Sequence, residues 1–313
     1  MIKVFRDISE IIKDENTAVT IGTFDGLHIG HQNILNVLNN KAKQNNCRTF
    51  VVTFEPHPRL VLSKENGIKI LTPINEKIKV FENSGVENLL IVNFTKEFSR
   101  QTSVEFIENL IIDKIGAKEI VIGYDHKFGK DRGGDESTFR RLADKHNFEL
   151  TVVSAKTIND EIVSSTKIRH ALINGDLDKV NSYLNRNYFI FGKVVKGAGR
   201  GKTLGFPTAN IQLFDEKKLI PKTGVYAVRS LIAGKTVFGV MNIGVRPTFE
   251  NLDEPVIEVH LFDFNKDIYG ESIELELLKR IRDEKKYSSK EELVNQIEKD
   301  KKHAVEIINK LVN

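Results

Sequence analysis

Up to about residue 185, short apolar runs alternate with segments in which apolar residues recur at helical spacing. The runs cover residues 18–21, 49–54, 89–92, 120–122 and 150–153, and the helical segments cover residues 32–44, 76–81, 104–112 and 137–145. Strands that alternate with helices of this length are typical of βαβ units, in which helices cover both faces of a parallel sheet. We therefore predict an α/β domain over residues 1–185, with ligands beyond the carboxyl ends of its strands.

From about residue 187 the pattern changes to strand-like runs that Gly and Pro turns separate. These runs cover residues 189–195, 225–232, 236–243, 256–262 and 272–278. The second and third runs are joined around Ala233-Gly234-Lys235, which predicts an antiparallel hairpin. Apolar positions in residues 289–312 recur near the 3.6-residue period, so we predict a closing helix whose lysines face solvent. Residues 187–313 are thus predicted to form a second domain, an antiparallel β-barrel.

Composition limits the kinds of ligand and partner that these two domains can bind. The 313 residues suffice for two cores, and the net charge of +4 comes from 47 basic and 43 acidic residues that are interspersed. That balance is weak for nucleic-acid binding and suits small anionic substrates. Cys47 is the only cysteine, which excludes an internal disulfide and favours a reducing cytoplasm. Because the sequence shows neither a signal-peptide core nor an apolar run of roughly 18 residues, we expect a cytoplasmic protein without membrane partners; its oligomeric state stays open.

The most informative motif is Gly22-Thr23-Phe24-Asp25-Gly26-Leu27-His28-Ile29-Gly30-His31. It lies between a predicted strand and a predicted helix, where α/β proteins hold phosphates with free backbone N–H groups and the helix dipole. His28 and His31 are three residues apart and therefore share one helix face. The glycines let the backbone approach a nucleotide closely. The alternative is a tight turn with two surface histidines, but the context favours the H-x-G-H signature that this stretch resembles, that of α/β nucleotidyltransferases.

Three further segments of the first half carry candidate chemistry. Phe54-Glu55-Pro56-His57-Pro58-Arg59 follows the second strand and exposes His57 and Arg59 at the expected crevice, although ordinary turn chemistry explains it equally well. The loop from Gly123 to Asp135 offers Tyr124 and Phe128 for stacking on a planar ring and Asp125 for hydrogen bonds; a surface loop is the alternative. Ser164-Ser165-Thr166-Lys167-Ile168-Arg169 opens a helix, so its hydroxyls serve as caps, as a phosphate cradle, or as both.

The second half offers a glycine-rich basic loop, residues 192–202, that suits a phosphate flap. It is not a Walker loop, because Gly205 and Pro207 follow where a helix is required. Thr208 and Asn210 are two residues apart in an extended segment, so they face the same way and offer oxygen ligands to Mg²⁺ already held by phosphates. Glu258 lies between Ile257 and Val259 and points opposite to them, as a functional carboxylate or as a surface one.

With these motifs in this order, the chain closely resembles the prokaryotic bifunctional riboflavin kinase/FAD synthetases over essentially its whole length. The resemblance implies a Rossmann-like nucleotidyltransferase domain followed by a riboflavin kinase barrel. It implies that the barrel phosphorylates riboflavin with ATP and Mg²⁺ to give FMN. The first domain would then adenylylate FMN with a second ATP, giving FAD and pyrophosphate.

The resemblance also implies roles for single residues. His28, His31 and Arg169 would be catalytic in adenylyl transfer, and Glu258 would take the proton from the ribityl hydroxyl. The implied ATP-binding residues are Gly22, Phe24, Asp25, Gly30, Ser165, Thr166, Gly197, Lys202, Pro207, Thr208 and Asn210. Thr208 and Asn210 would also hold Mg²⁺, and the flavin would lie against Phe54, His57, Asp125 and Phe128. Asp125 and His126 depart from the family pattern, in which amide or aromatic residues are frequent.

Two other functions stay open at this point. The first is an adenylyltransferase for another phosphorylated coenzyme precursor, fused to an unrelated barrel; formation of FMN from riboflavin and ATP would separate it from the function above. The second is a flavin-binding regulatory protein without catalysis. The presence of Thr208, Asn210 and Glu258 argues against a pure binder, which has no use for metal ligands and a base.

Overall fold

The computed structural model describes residues 2–63, 68–130, 133–197, 201, 205–246 and 254–312. The chain divides into two compact units, Met1–Ser165 and Thr166–Asn313. The strands of the first unit are β1 (Lys3–Phe5), β2 (Thr17–Ile21), β3 (Arg48–Glu55), β4 (Asn88–Asn93), β5 (Ala117–Gly123), β6 (Glu149–Val153), β7 (Thr157–Ile158) and β8 (Glu161–Ile162). Its helices are α1 (Ile29–Gln44), α2 (Pro58–Leu62), α3 (Ile74–Glu82), α4 (Ser103–Phe106), which continues as a π-helix over Ile107–Ile115, and α5 (Glu136–His146).

Six strands of the first unit form one sheet in the order β1-β4-β3-β2-β5-β6. All neighbouring pairs are parallel. The chain moves outward from β2 through β3 to β4 and then returns to the other side of β2 with β5. The order therefore reverses between β2 and β5, and in open α/β sheets the ligand crevice lies outside the carboxyl ends of the strands at such a point.

Alternation along the central strands builds a separate core on each face of this sheet. Val19 and Ile21 of β2 lie in one core, with Phe106 and Phe139 from the helical side. Ala18 of the same strand lies in the other core, with Leu35 and Leu38 of α1. Each face is thus closed by helices, which leaves the ends of the strands as the accessible edge of the sheet.

Helix α6 (Ser165–Asn174) starts at the last residue of the first unit, and its other residues belong to the second unit. The second unit continues with α7 (Leu177–Leu184), β9 (Tyr188–Val195), β10 (Ala209–Leu213), β11 (Gly224–Ile232), β12 (Lys235–Arg246), β13 (Glu254–Leu261), β14 (Ser272–Arg282) and α8 (Lys290–Val312). The strands close into an antiparallel barrel in the order β10-β13-β12-β11-β14-β9. Apolar side chains of α8, among them Ala304 and Ile308, pack on the outer side of β11 at Ala227. The predicted hairpin is present, and Ala233 and Gly234 connect its strands with positive φ angles of 48° and 76°.

Both fold predictions are confirmed, and every predicted strand and helix is found with its ends shifted by a few residues. The pattern missed α7 and the short elements β1, α2, β7 and β8. The two compact units meet at residue 165, which is earlier in the chain than the boundary near residue 185 that the change of pattern predicts. The reason is visible in α7, where the Asn181 amide donates to the Leu277 carbonyl of β14 at 3.0 Å and accepts from the Tyr188 N–H at 2.8 Å.

In the described part of the chain, no helix combines the length and the apolar character that crossing a membrane requires. Among the same residues, no group of three or more His, Cys, Asp and Glu side chains is placed to hold a metal ion.

Candidate active sites

The turn after β2 lies at the sheet's reversal point and is held in an uncommon conformation. The Gly22 N–H donates to the Val52 carbonyl of β3 at 3.0 Å. Phe24, Gly26 and Leu27 have positive φ angles of 47°, 89° and 43°. The Phe24 ring is buried, and a Cβ on Gly22 would approach it to 3.1 Å. Phe24 therefore anchors the turn from the core side, and the backbone rather than this ring faces the crevice.

His28 and His31 come together at the start of α1. Their rings stack with centroids 3.8 Å apart and an interplanar angle of 20°. His28 caps the helix, and its Nδ1 accepts the Gly30 N–H at 3.2 Å. A neutral His28 must therefore carry its hydrogen on Nε2, as a donor. A Cβ at Gly30 would lie 3.1 Å from the His28 ring, so the glycine makes room for the pair. Two imidazoles at a helix N-terminus form a site for an anion.

Asp25 is buried and holds the turn in place. Its carboxylate accepts the N–H groups of Leu71 at 3.3 Å and Thr72 at 2.9 Å. Its backbone carbonyl accepts the Ser165 hydroxyl at 2.8 Å. The turn is thus tied to the segment before α3 and to the first residue of α6. Asp25 and Ser165, both predicted to bind ATP, make these contacts within the protein.

Lys77 on α3 is a residue of this site that the sequence analysis missed. It is only 2% exposed, and its ammonium donates to the Thr23 carbonyl inside the turn at 2.7 Å. Burial lowers the pKa of Lys77, while the negative charges of Asp25 and Glu55 oppose that shift. The signal was present in the pattern: Lys77 precedes the buried Phe81 by four residues, so it lies on the apolar stripe of an amphipathic helix.

Two of the predicted flavin contacts, Phe54 and Phe128, meet in one aromatic cluster. The Phe106 ring lies between them in the contact network: its centroid is 6.3 Å from that of Phe54 and 6.2 Å from that of Phe128. Phe128 is 9% exposed and contacts Phe139 at 4.5 Å between centroids. Phe54 is only partly buried, at the carboxyl end of β3. Phe54 is therefore the more accessible of the two rings.

The other two predicted flavin contacts lie elsewhere. His57 is buried and caps α2, where its Nδ1 accepts the Arg59 N–H at 3.1 Å. Asp125 is exposed and lines an open pocket of about 430 Å³ after β5. The residues that line this pocket are Tyr124, Asp125, His126, Lys127, Asp135, Glu136, Ser137 and Arg140. Asp135 caps α5, and the Ser137 hydroxyl holds the pKa of its carboxyl below the usual value.

Thr166 and Arg169 lie on α6, in the second compact unit. Ser165 and Arg169 are four residues apart and share one face of this helix. Lys202 lies outside the described residues.

In the barrel, the register of the strands brings Asn210 and Glu258 together. Asn210 of β10 is directly opposite Glu258 of β13, so both side chains extend from the same side of the sheet. Ile257 and Val259 are buried inside the barrel and Glu258 is half-buried outside it, as the alternation predicts. On the other side of β13, Asn242 of β12 is opposite Glu258 as well. Asn242 is a second residue that the sequence analysis missed, because only the strand pairing reveals its place.

Two glycines lie against the predicted Mg²⁺ ligands. A Cβ on Gly197 would collide with the Asn210 amide, and a Cβ on Gly201 would lie 2.8 Å from the Thr208 hydroxyl. Their backbones therefore form a cradle around one hydroxyl and one amide group. These neutral oxygens suit Mg²⁺, which prefers oxygen ligands and is usually bound together with substrate phosphates. The residues present thus fit a metal ion that arrives with a nucleotide.

The comparisons with known proteins agree with this arrangement. Residues 10–167 match the family model described as FAD synthetase, and residues 184–308 match the one described as riboflavin kinase. The second match removes the alternative of an unrelated barrel.

Relatives named bifunctional riboflavin kinase/FMN adenylyltransferase cover nearly the full length. The Bacillus subtilis protein is 39% identical over 308 residues, which are 96% of this chain and 96% of that one. The Escherichia coli K12 protein is 35% identical over 95% of both chains. A crystal structure described as a macrolide-efflux protein from Streptococcus pneumoniae is similar with a TM-score of 0.87 and 31% identity, and covers 96% of this chain and 97% of that one. The chain therefore belongs to the family of bifunctional riboflavin kinase/FMN adenylyltransferases, with its FAD synthetase domain first and its riboflavin kinase domain second.

Proposed function

We propose that the chain makes FAD from riboflavin in two steps at two separate sites. The barrel unit transfers the γ-phosphoryl group of ATP to the ribityl hydroxyl of riboflavin and gives FMN. The first unit transfers the AMP moiety of a second ATP to the phosphate of FMN and gives FAD and pyrophosphate. The observation that carries this proposal is that each unit has its own group of side chains suited to a nucleotide: the stacked His28 and His31 in one, and the oxygens of Thr208 and Asn210, suited to Mg²⁺, in the other.

Adenylyl transfer requires charge stabilisation more than acid–base chemistry. An oxygen of the FMN phosphate attacks the α-phosphorus of ATP, and the bond from that phosphorus to the β-phosphate oxygen breaks. The nucleophile is already an anion, so no protein base is needed. His28 and His31 at the N-terminus of α1 supply N–H donors and positive potential for the charge that develops on the α-phosphate. Lys77 and Asp25 hold the turn in the conformation that presents these groups.

Phosphorylation of riboflavin starts from a neutral alcohol, so a base contributes. Glu258 accepts the proton of the ribityl hydroxyl as its oxygen attacks the γ-phosphorus, and ADP leaves. Thr208 and Asn210 would hold Mg²⁺ together with the phosphates of ATP, and the ion would supply positive charge to those phosphates. The strand register supports these roles, because it places Asn210, a proposed ligand of the nucleotide-bound metal, directly opposite Glu258, the proposed base.

The remaining roles are proposals of the same kind. We place FMN along the carboxyl ends of β3 and β5, against Phe54 and the pocket that Asp125 lines. The buried His57 and Phe128 would hold the backbone and side chains behind this surface in place. Gly22 and Gly30 leave the backbone open to ATP. Thr166 and Arg169 in the adenylylation step, and Gly197, Lys202 and Pro207 at the kinase nucleotide, stay predictions, as do Mg²⁺ as the metal and the cytoplasmic location.

The test is the time course of products from riboflavin, ATP and Mg²⁺, separated by chromatography. The proposal expects FMN first and FAD later, with ADP released in the first step and pyrophosphate in the second. FMN supplied in place of riboflavin should give FAD without a lag. If the folded chain forms FAD from FMN but no FMN from riboflavin, the kinase half of the proposal is wrong; the reverse result rejects the adenylyl-transfer half.

A further inference from the structure

We propose that His260 is a positioning residue of the kinase site, which fixes the segment Phe206–Thr208 so that Thr208 meets the nucleotide. This inference rests on the proposed riboflavin kinase activity of the barrel. His260 lies on β13 two residues after Glu258, so the two side chains extend from the same side of the strand.

A direct hydrogen bond joins His260 to this segment. The distance from His260 Nδ1 to the Pro207 carbonyl oxygen is 2.8 Å. Because a carbonyl oxygen can only accept, Nδ1 must carry the hydrogen and donate it. The imidazole also contacts two aromatic rings, Phe206 at 5.6 Å and Phe262 at 5.8 Å between centroids, both at steep angles. Packing against two rings and one hydrogen bond thus fix the orientation of the imidazole.

The segment that His260 holds lies just before the point where the strand ladder begins. Pairing of β10 with β13 starts with Ala209 opposite Val259 and continues with Asn210 opposite Glu258. One step further back, Thr208 would be opposite His260, but no ladder pair is formed there among the described residues. The Phe206 N–H donates to the Gly201 carbonyl at 2.9 Å, which fixes the start of the segment. The bond from His260 to Pro207 therefore continues the attachment to β13 after the backbone ladder has ended.

This geometry makes His260 the link between the two parts of the kinase site. On β13, His260 is two residues after Glu258, the proposed base. Its hydrogen bond holds Pro207, the residue directly before Thr208, a proposed Mg²⁺ ligand. Without the hydrogen bond from His260, the segment Phe206–Thr208 keeps its bond to Gly201 but loses its attachment to β13 at Pro207. The Thr208 hydroxyl then has to be ordered when the nucleotide binds, and the cost of that ordering weakens nucleotide binding. Because the bond acts on the residue next to Thr208, a proposed nucleotide ligand, we expect riboflavin binding not to depend on it.

Two variants of the full chain separate the hydrogen bond from the packing. His260→Phe keeps a ring between Phe206 and Phe262 but has no donor. His260→Asn places an amide N–H the same number of bonds from Cα as Nδ1, so it restores the donor without the ring. Steady-state kinetics of riboflavin phosphorylation would be measured with ATP varied and with riboflavin varied, and FAD formation from FMN would be measured on the same preparations.

For His260→Phe we expect the KM for MgATP to rise about tenfold, the loss of roughly one hydrogen bond, with the KM for riboflavin and the rate of FAD formation from FMN unchanged. For His260→Asn we expect most of the affinity for MgATP to return. A wild-type KM for MgATP in His260→Phe, or an equal loss in both variants, would overturn the inference. If the unaltered chain fails to phosphorylate riboflavin, the proposed function is what fails, and that outcome is seen before either variant is compared.

Discussion

The two units carry the groups proposed to act in their reactions on different parts of their folds. In the first unit the groups gather at one helix N-terminus, where the rings of His28 and His31 stack at the start of α1. In the barrel the groups are side chains in register across neighbouring strands, and one of them, Glu258, is a carboxylate. A carboxylate helps when the acceptor is a neutral alcohol and opposes binding when the acceptor is a phosphate. In the proposed function, the charge of the acceptor thus matches the groups that each unit offers.

The largest effect should follow from removing the carboxylate. Glu258→Gln keeps the shape of the side chain and removes its basicity, so riboflavin phosphorylation should fall by roughly 10²–10⁴-fold. Formation of FAD from added FMN should stay at the wild-type rate, because no base takes part there. Both rates can be followed by chromatography of the flavins.

A matched control is Glu306→Gln, the same change on an exposed position of α8. It should leave both rates unaltered. If Glu258→Gln phosphorylates riboflavin as fast as the unaltered chain, Glu258 is a surface carboxylate, and the contrast between the two sites disappears.

The reverse pattern should result from changes in the histidine pair. Replacing His28 or His31 by Ala should slow FAD formation from FMN by about 10²–10³-fold, because one preorganised stabiliser of the α-phosphate charge is lost. Riboflavin phosphorylation should stay near normal, and His303→Ala, an exposed histidine on α8, should change neither rate. Loss of both activities in a variant with an unaltered circular dichroism spectrum would contradict two separate sites.

A smaller effect is expected from Lys77, which acts on the same site through the backbone. Lys77→Met keeps the length of the side chain but leaves the Thr23 carbonyl without this donor, so the turn that carries His28 loosens. We expect unfolding to become easier by about 1–3 kcal/mol and FAD formation to slow by roughly tenfold. Lys79→Met, two residues away at an exposed position, is the matched control. Equal effects of the two changes on FAD formation would show that Lys77 has no specific role.

Periodicity and motifs predicted most of the fold, because both depend on local sequence. The apolar run in β2 and the helical spacing in α1 were enough to place the Gly22–His31 turn between a strand and a helix. His28 and His31 were predicted to share one helix face; their rings do lie together, although His28 is the N-cap and precedes the first helical residue. The outward direction of Glu258 followed from its buried neighbours.

Contacts between distant segments could not be predicted in this way. Asn242 is opposite Glu258 only through the pairing of β12 with β13, and His260 meets Pro207 across 53 positions of the chain. Lys77 looked like an ordinary helix lysine, although its place on the apolar stripe was a signal of burial. Asp25 and His57 carried polar groups suited to ligands, yet the structure uses them to hold backbone N–H groups. Polar residues near a site thus divide into those that face it and those that build it, and sequence spacing does not separate the two.

The independence of the two sites is tested most directly by the barrel unit on its own. A fragment from Thr166 to Asn313 contains Thr208, Asn210, Glu258 and His260, and it keeps the contacts of α7 with β14. We predict that this fragment folds and forms FMN from riboflavin at a rate near that of the full chain, and that it forms no FAD from FMN. A fragment that is folded by circular dichroism and binds riboflavin but forms no FMN would show that the kinase site needs groups from the first unit, and would contradict the account.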